Sequence, residues 1–252
     1  MTAVDRAYAT REAILTAAER LYAEHGVLAV SNRQISEAAG QGNNTAVGYH
    51  FGTRADLVRA IARRHSAAVE ELRARMLAGL GAGADLRDWV RCLVHPSTEH
   101  LARAGTPSWF ARFTAQVMTE PSLRSAVAAE TLSSPSLART VEGLSRCLPE
   151  LPADVRAERS AMTRQLLIHT MAERERALAE GSTAPIVANP ITVTAEWLRS
   201  NGRAPPGGRP TFGRIGNTPR ANWREAATGL TDALVGLWLA PVTPRNPGEE
   251  QA

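Results

Sequence analysis

Residues 10–26 read TREAILTAAERLYAEHG, residues 35–40 ISEAAG, and residues 49–61 YHFGTRADLVRAI. In the first piece Ile14, Ala17, Ala18, Leu21 and Tyr22 recur at intervals of three and four, which puts them on one side of a helix. Thr10 can cap that helix, and Gly26 stands where such helices stop. A second short helix is expected from about Asn32 to Ala39, with Ile35, Ala38 and Ala39 on one face, broken by Gly40-Gln41-Gly42. Asn43 or Asn44 can then cap a third helix through His50. Thr53-Arg54-Ala55-Asp56 has the form of a capping box with an acid in place of the usual Glu, and it opens a long fourth helix carrying Leu57, Val58, Ile61 and Val69.

The third helix, about six to eight residues long, could not persist alone in water. Val47 and Phe51, four apart on one face, are its expected anchors against Ile35, Ala38 and Leu21. The other face offers Asn43, Asn44, Thr45, Tyr49 and His50, whose amide, hydroxyl and phenol groups suit phosphates and base edges. The helix starts near Ser31 and Thr53 present backbone N–H groups, with Arg33 and Arg54 alongside, as candidate grips on phosphate.

The order of these features resembles the DNA-binding head of the TetR family of bacterial repressors, over Thr10 to Ile61. The resemblance implies an all-α protein, with a three-helix helix-turn-helix head over residues 1–52 and a helical effector-binding and dimerisation body over 53–252. It implies that Arg33 lies on the second helix, that Asn43 to His50 form the recognition helix, and that Tyr49, His50 and Arg54 contact the DNA backbone. The sequence departs from the family pattern twice. The turn is one residue longer than usual, and Gly48 stands where a bulkier base-reaching side chain is frequent.

Beyond the Gly81-Ala82-Gly83 break, helices are expected near 84–103, 107–119, 121–148, 153–180 and 220–240, punctuated by Pro96, Pro107, Pro121, Pro135 and Pro152. No alternating strand pattern competes with them. Residues 181–219 are rich in Pro, Gly and Asn and predict a long loop. Near the C-terminus Ala226, Ala227, Leu230, Leu234, Leu237 and Trp238 fall at helical spacing in a segment that becomes apolar nearly all round. A helix carrying Met162, Leu166, Leu167 and Thr170 offers a second face. The family resemblance implies that these last two long helices pair with those of a second copy, with Leu167, Met171, Leu230, Leu234, Leu237 and Trp238 at the dimer interface. A twofold dimer places two recognition helices about 34–36 Å apart and predicts a palindromic operator in double-stranded DNA.

The middle of the chain concentrates Trp89, His95, Trp109, Phe110, Phe113 and Met118, and with Met162 and Leu166 these form a candidate pocket for a small organic effector. Release of DNA by such a ligand requires that it prefer a body geometry in which the heads are wrongly spaced.

Composition narrows the alternatives. All 29 basic residues are Arg and the formal net charge is +4, a balance that permits nucleic-acid contact without demonstrating it. Cys92 and Cys147 lack metal-ligand spacing and catalytic context and read as buried thiols of a reducing cytoplasm. The most apolar run, Ala233 to Val242, is too short to span a membrane. His95 and His100 are five apart with no helix-borne acid to complete a set, so no metal and no cofactor are expected. A nucleophile elbow, phosphate loop and zinc motif are all missing, which weighs against an enzyme with its site in the middle helices. The remaining alternative is an architectural DNA binder that uses the six Arg between Arg199 and Arg224 without sequence preference.

Overall fold

The computed structural model describes residues 3–43, 45–180 and 222–243. The expected 181–219 loop and Asn44 lie outside the described residues. Within them the chain is all-α. The elements are α1 (Ala3–His25), α2 (Asn32–Ala38), α3 (Ala46–Phe51), α4 (Arg54–Ala78), α5 (Leu86–Ala104), α6 (Phe110–Met118), α7 (Pro121–Leu132), α8 (Pro135–Cys147), α9 (Ala153–Ala179) and α10 (Trp223–Leu239).

Several boundaries differ from the sequence expectations, among them that of α3, whose N-cap is Thr45 and not Asn43 or Asn44, and that of α6, which starts at Phe110 and not near 107. Thr10 lies inside α1, which starts at Ala3, because the preceding segment, rich in Ala, contains nothing that stops a helix. The 121–148 segment is two helices, since Ser134 caps a new one and Pro135 takes its first position. Pro96 does not end a helix but sits inside α5. It has no N–H to give the carbonyl four residues back, that of Cys92. The buried Arg73 of α4 supplies the missing donor, its Nε lying 3.2 Å from the Cys92 oxygen.

Three apolar clusters organise the molecule. The first joins α1 to α4 around Ile14, Tyr22, Ile35, Val47, Leu57 and Ile61, and it takes in Phe113 and Val117 of α6 and Leu123 of α7. The small head is therefore packed directly on the body. Gly26, at a φ of +90°, turns the chain out of α1. The second cluster packs Leu86, Val90 and Val94 of α5 against Leu144 of α8 and Ala227, Leu230, Leu234 and Trp238 of α10. The third, around Leu101, Ala111 and Trp223, closes the space between α5, α6 and α10.

Polar groups finish the helix ends. α6 has no side-chain cap of its own; instead the buried Glu175 of α9 accepts from the backbone N–H groups of Ala111 (3.1 Å) and Arg112 (2.9 Å) and from the Ser108 hydroxyl (2.9 Å). At the C-terminus of α10, Arg159 donates to the carbonyls of Trp238 (2.8 Å) and Ala240 (2.6 Å), which have no further helical turn to bond to. Among the described residues no helix is long and apolar enough to cross a membrane.

Candidate nucleic-acid interface

α3 is a turn and a half long, and its position is set by what holds it. Val47 and Phe51 are buried in the first cluster together with Ala46. Arg11 of α1 adds two contacts: its Nη1 donates to the His50 carbonyl at 2.8 Å, and its guanidinium lies 4.1 Å from the centre of the Phe51 ring. Sequence reasoning did not single out Arg11. The signal was its place on the stripe that continues through Leu15, Ala18 and Tyr22, a basic residue at the rim of a core face.

The opposite side of α3 is open. Tyr49 is 86% exposed, and the His50 ring stands edge-on to it with centroids 5.1 Å apart. Nothing lies within 4 Å of where a Cβ on Gly48 would be. Before the helix, the Asn43 carboxamide oxygen accepts from the Thr45 backbone N–H at 2.9 Å and its hydroxyl at 2.7 Å, an Asx turn that orders the entry to α3.

The flanking candidates are more committed to the protein. Ser31 with Gln34 and Thr53 with Asp56 complete reciprocal capping boxes at the starts of α2 and α4. The Thr53 hydroxyl and backbone N–H, followed by Arg59, hold the Asp56 carboxyl below the usual carboxylate range. Arg54 is half-buried and its Nη2 donates to the Val30 carbonyl at 3.0 Å, which ties α4 to the loop after α1. Arg33 is exposed, with its Nε 2.8 Å from Glu37. Residues 1–61 hold six Arg and six acids, and no Arg falls between Arg33 and Arg54. Residues 1–61 as a whole therefore carry no surplus of positive charge.

A buried polar chain joins this head to the body. His65 of α4 places Nε2 2.9 Å from Glu19 Oε2 and Nδ1 2.8 Å from His100 Nε2 of α5, while its ring stacks on Phe110 at 3.8 Å. Arg64 also bonds Glu19, and Arg63 pairs with Glu130 of α7 at 2.5 Å. Burial pushes the Glu19 carboxyl up, but the His65 hydrogen bond and the charges of His65 and Arg64 outweigh it and hold the group below its ordinary range. Burial, with His65 beside it, takes His100 down to about 4.

The first 61 residues thus form an open, polar-faced short helix buttressed by three others. Residues 14–61 match the family described as bacterial regulatory proteins, tetR family, and residues 91–198 match the tetracyclin repressor-like C-terminal domain. The chain belongs to the TetR family. It is a transcription regulator with a DNA-binding helix-turn-helix head on an all-helical body. Among solved structures it is similar to the TetR-family transcriptional regulator PfmR from Thermus thermophilus, at 14% identity and a TM-score of 0.43, with 97% of this chain and 100% of that one covered. No curated protein matches it.

In this TetR-family chain the aromatic and thioether residues expected to line one pocket are dispersed. Phe113 is core of the first cluster, and Trp109 and Phe110 pack on it. Trp89 belongs to the second, flat against Gly143 of α8. His95 and Met118 are half-buried, and Met162 and Leu166 are exposed (48% and 37%) on α9. Trp109 lines an open groove of about 410 Å³ together with Ala13, Ala17, Ala38 and Ala39. A second groove, of about 580 Å³, lies at Gly105, Thr106, Leu178 and Trp223 and holds none of the expected residues.

Of the residues expected at a dimer interface, three are taken up by the chain's own core and three are half-buried. Leu230, Leu234 and Trp238 are buried within the chain's own second cluster, and Leu167 and Leu237 pack half-buried against it. Met171 packs on the third. The periodicity identified a buried helix face but could not say whether α5 or a second copy covers it.

Proposed function

We infer that this TetR-family regulator binds a palindromic operator as a homodimer and acts as a repressor released by a small organic effector. The observation that carries the reading is α3 itself, a helix anchored by Val47, Phe51 and Arg11 with Tyr49 standing outward beside Gly48. Asn43, Thr45, Tyr49 and His50 are the proposed DNA contacts on or next to it, with Asn44, Arg33, Thr53 and Arg54 as proposed phosphate-side neighbours. The head of residues 1–52 and the body of 53–252 are proposed as the two working units, with the Glu19–His65–His100 chain and α6 between them.

The partner-facing surface is assigned to the exposed side of α9 and α10. Met162 and Leu166 stand one turn apart on α9, and Leu239 is exposed at the end of α10. Exposed apolar residues in this pattern favour burial against a second copy. An effector acts in the body through differential affinity for two spacings of the heads.

Selection of duplexes from a random pool by the full-length protein, followed by binding assays, tests the reading. The expected result is enrichment of an inverted repeat, with Tyr49→Ala binding it at least tenfold more weakly, as loss of one or two groove contacts implies. Failure to enrich any sequence, or parent-like binding by Tyr49→Ala, overturns it.

A further inference from the structure

α1 continues for two turns beyond the head core. Ile14, Leu15, Ala18 and Tyr22 are buried, whereas residues 4–9 are exposed throughout. At 3.6 residues per turn, Val4, Tyr8 and Arg11 lie on the same side of the helix as Leu15, Ala18 and Tyr22. The core-facing stripe thus runs out from under its cover: its inner part is packed, Arg11 lies over Phe51 at the rim, and Val4 (77% exposed) and Tyr8 (66% exposed) stand beyond it. Arg11 bonds the His50 carbonyl and lies over the Phe51 ring, so the stripe emerges from the head core beside the C-terminal end of α3. The chain has three tyrosines; Tyr22 is core, and the other two, Tyr8 and Tyr49, are both exposed.

We propose that the Val4–Tyr8 face of α1 is a second DNA contact, lying on the sugar-phosphate backbone of the duplex that flanks the site read by α3. The proposal rests on the DNA-binding reading above and extends its footprint. The arm from Ala3 to Thr10 adds about 12 Å of reach at the helical rise. A phenol offers a hydroxyl donor to phosphate oxygen and a ring that packs on deoxyribose, and Val4 adds apolar contact of the same kind. Neither group reads bases, so the contact is indifferent to flanking sequence.

The test uses the full chain and the duplex recovered by selection, in two forms: one ending at the outermost constrained base pair, the other extended on each side by about ten base pairs of arbitrary sequence, one duplex turn. The parent is expected to bind the extended duplex about five- to tenfold more tightly than the trimmed one, and Val4→Ser/Tyr8→Ser to lose that gain. Unchanged thermal melting shows that the variant folds. A parent indifferent to the flanks, or a variant that keeps the gain, overturns the arm contact while leaving the α3 assignment standing. A variant altered in self-association in sedimentation velocity, with DNA binding intact, overturns it in favour of a second copy as occupant. Parent-like binding by Tyr49→Ala sinks the earlier reading instead.

Discussion

Pro96 and Arg73 show how one residue's deficit fixes another's role. A proline inside α5 leaves the Cys92 carbonyl without its helical donor, and a buried guanidinium from α4 takes the place of the absent N–H. Arg73→Met is expected to destabilise the fold by about 2–3 kcal/mol, the cost of stranding a buried acceptor. Adding Pro96→Ala returns an N–H to the helix and recovers part of that loss, seen as a partial return of the urea midpoint. Gly143 is a second such case. A Cβ there would lie 2.4 Å from three atoms of the Trp89 indole, closer than any side-chain contact tolerates. Gly143→Ala should therefore lower stability by about 1–3 kcal/mol through overpacking, even though alanine favours helices.

Among the elements, the junction of α1, α4 and α5 carries a pH dependence. His100 has an ordinary value of 6.5 and falls to about 4 in the fold, through burial first and the neighbouring His65 second, with Glu19 opposing and Arg103 assisting. Between those values the unfolded chain binds the proton and the folded chain does not. The stability held in this site is thus complete above pH 6.5 and lost as pH falls towards 4. Thermal melting should drop through that window, and His100→Gln, which keeps a donor for His65 but cannot titrate, should flatten the drop. The helix proposed to read DNA makes a different prediction. α3 contains no Arg, Arg33 is paired with Glu37, and Arg54 is engaged by Val30. Few phosphates are neutralised by each head, so the slope of log K against log salt for the dimer should be about −4 or shallower.

At the scale of the whole molecule, the proposed dimer rests on the exposed pair Met162 and Leu166. Leu166→Glu should shift the protein towards monomer in sedimentation velocity without lowering the monomer's own stability, because the residue lies outside the apolar clusters. The head was largely legible in the sequence: spacing, caps and the glycine break gave α2 and the start of α4 nearly to the residue, whereas α3 starts after Thr45, which makes no side-chain cap bond, and not at a cap on Asn43 or Asn44. The body's helices were legible as segments, but their partners were not. Leu234 and Met162 are both apolar residues on amphipathic helices, and periodicity alone cannot tell a face covered by α5 from one left open. The Glu19–His65–His100 chain was invisible for a related reason, since its members lie on three helices and come together through packing.

The balance of four Arg and five acids in residues 1–52 also bears on how a regulator finds its site. Random genomic duplex holds a protein mainly by ion release, and a head without surplus cationic charge has little grip on it. Such a head favours short three-dimensional hops over long one-dimensional sliding. Copies in a cell would be spread less thinly over the chromosome, and occupancy of the right site would depend on the fit of uncharged groups in the groove.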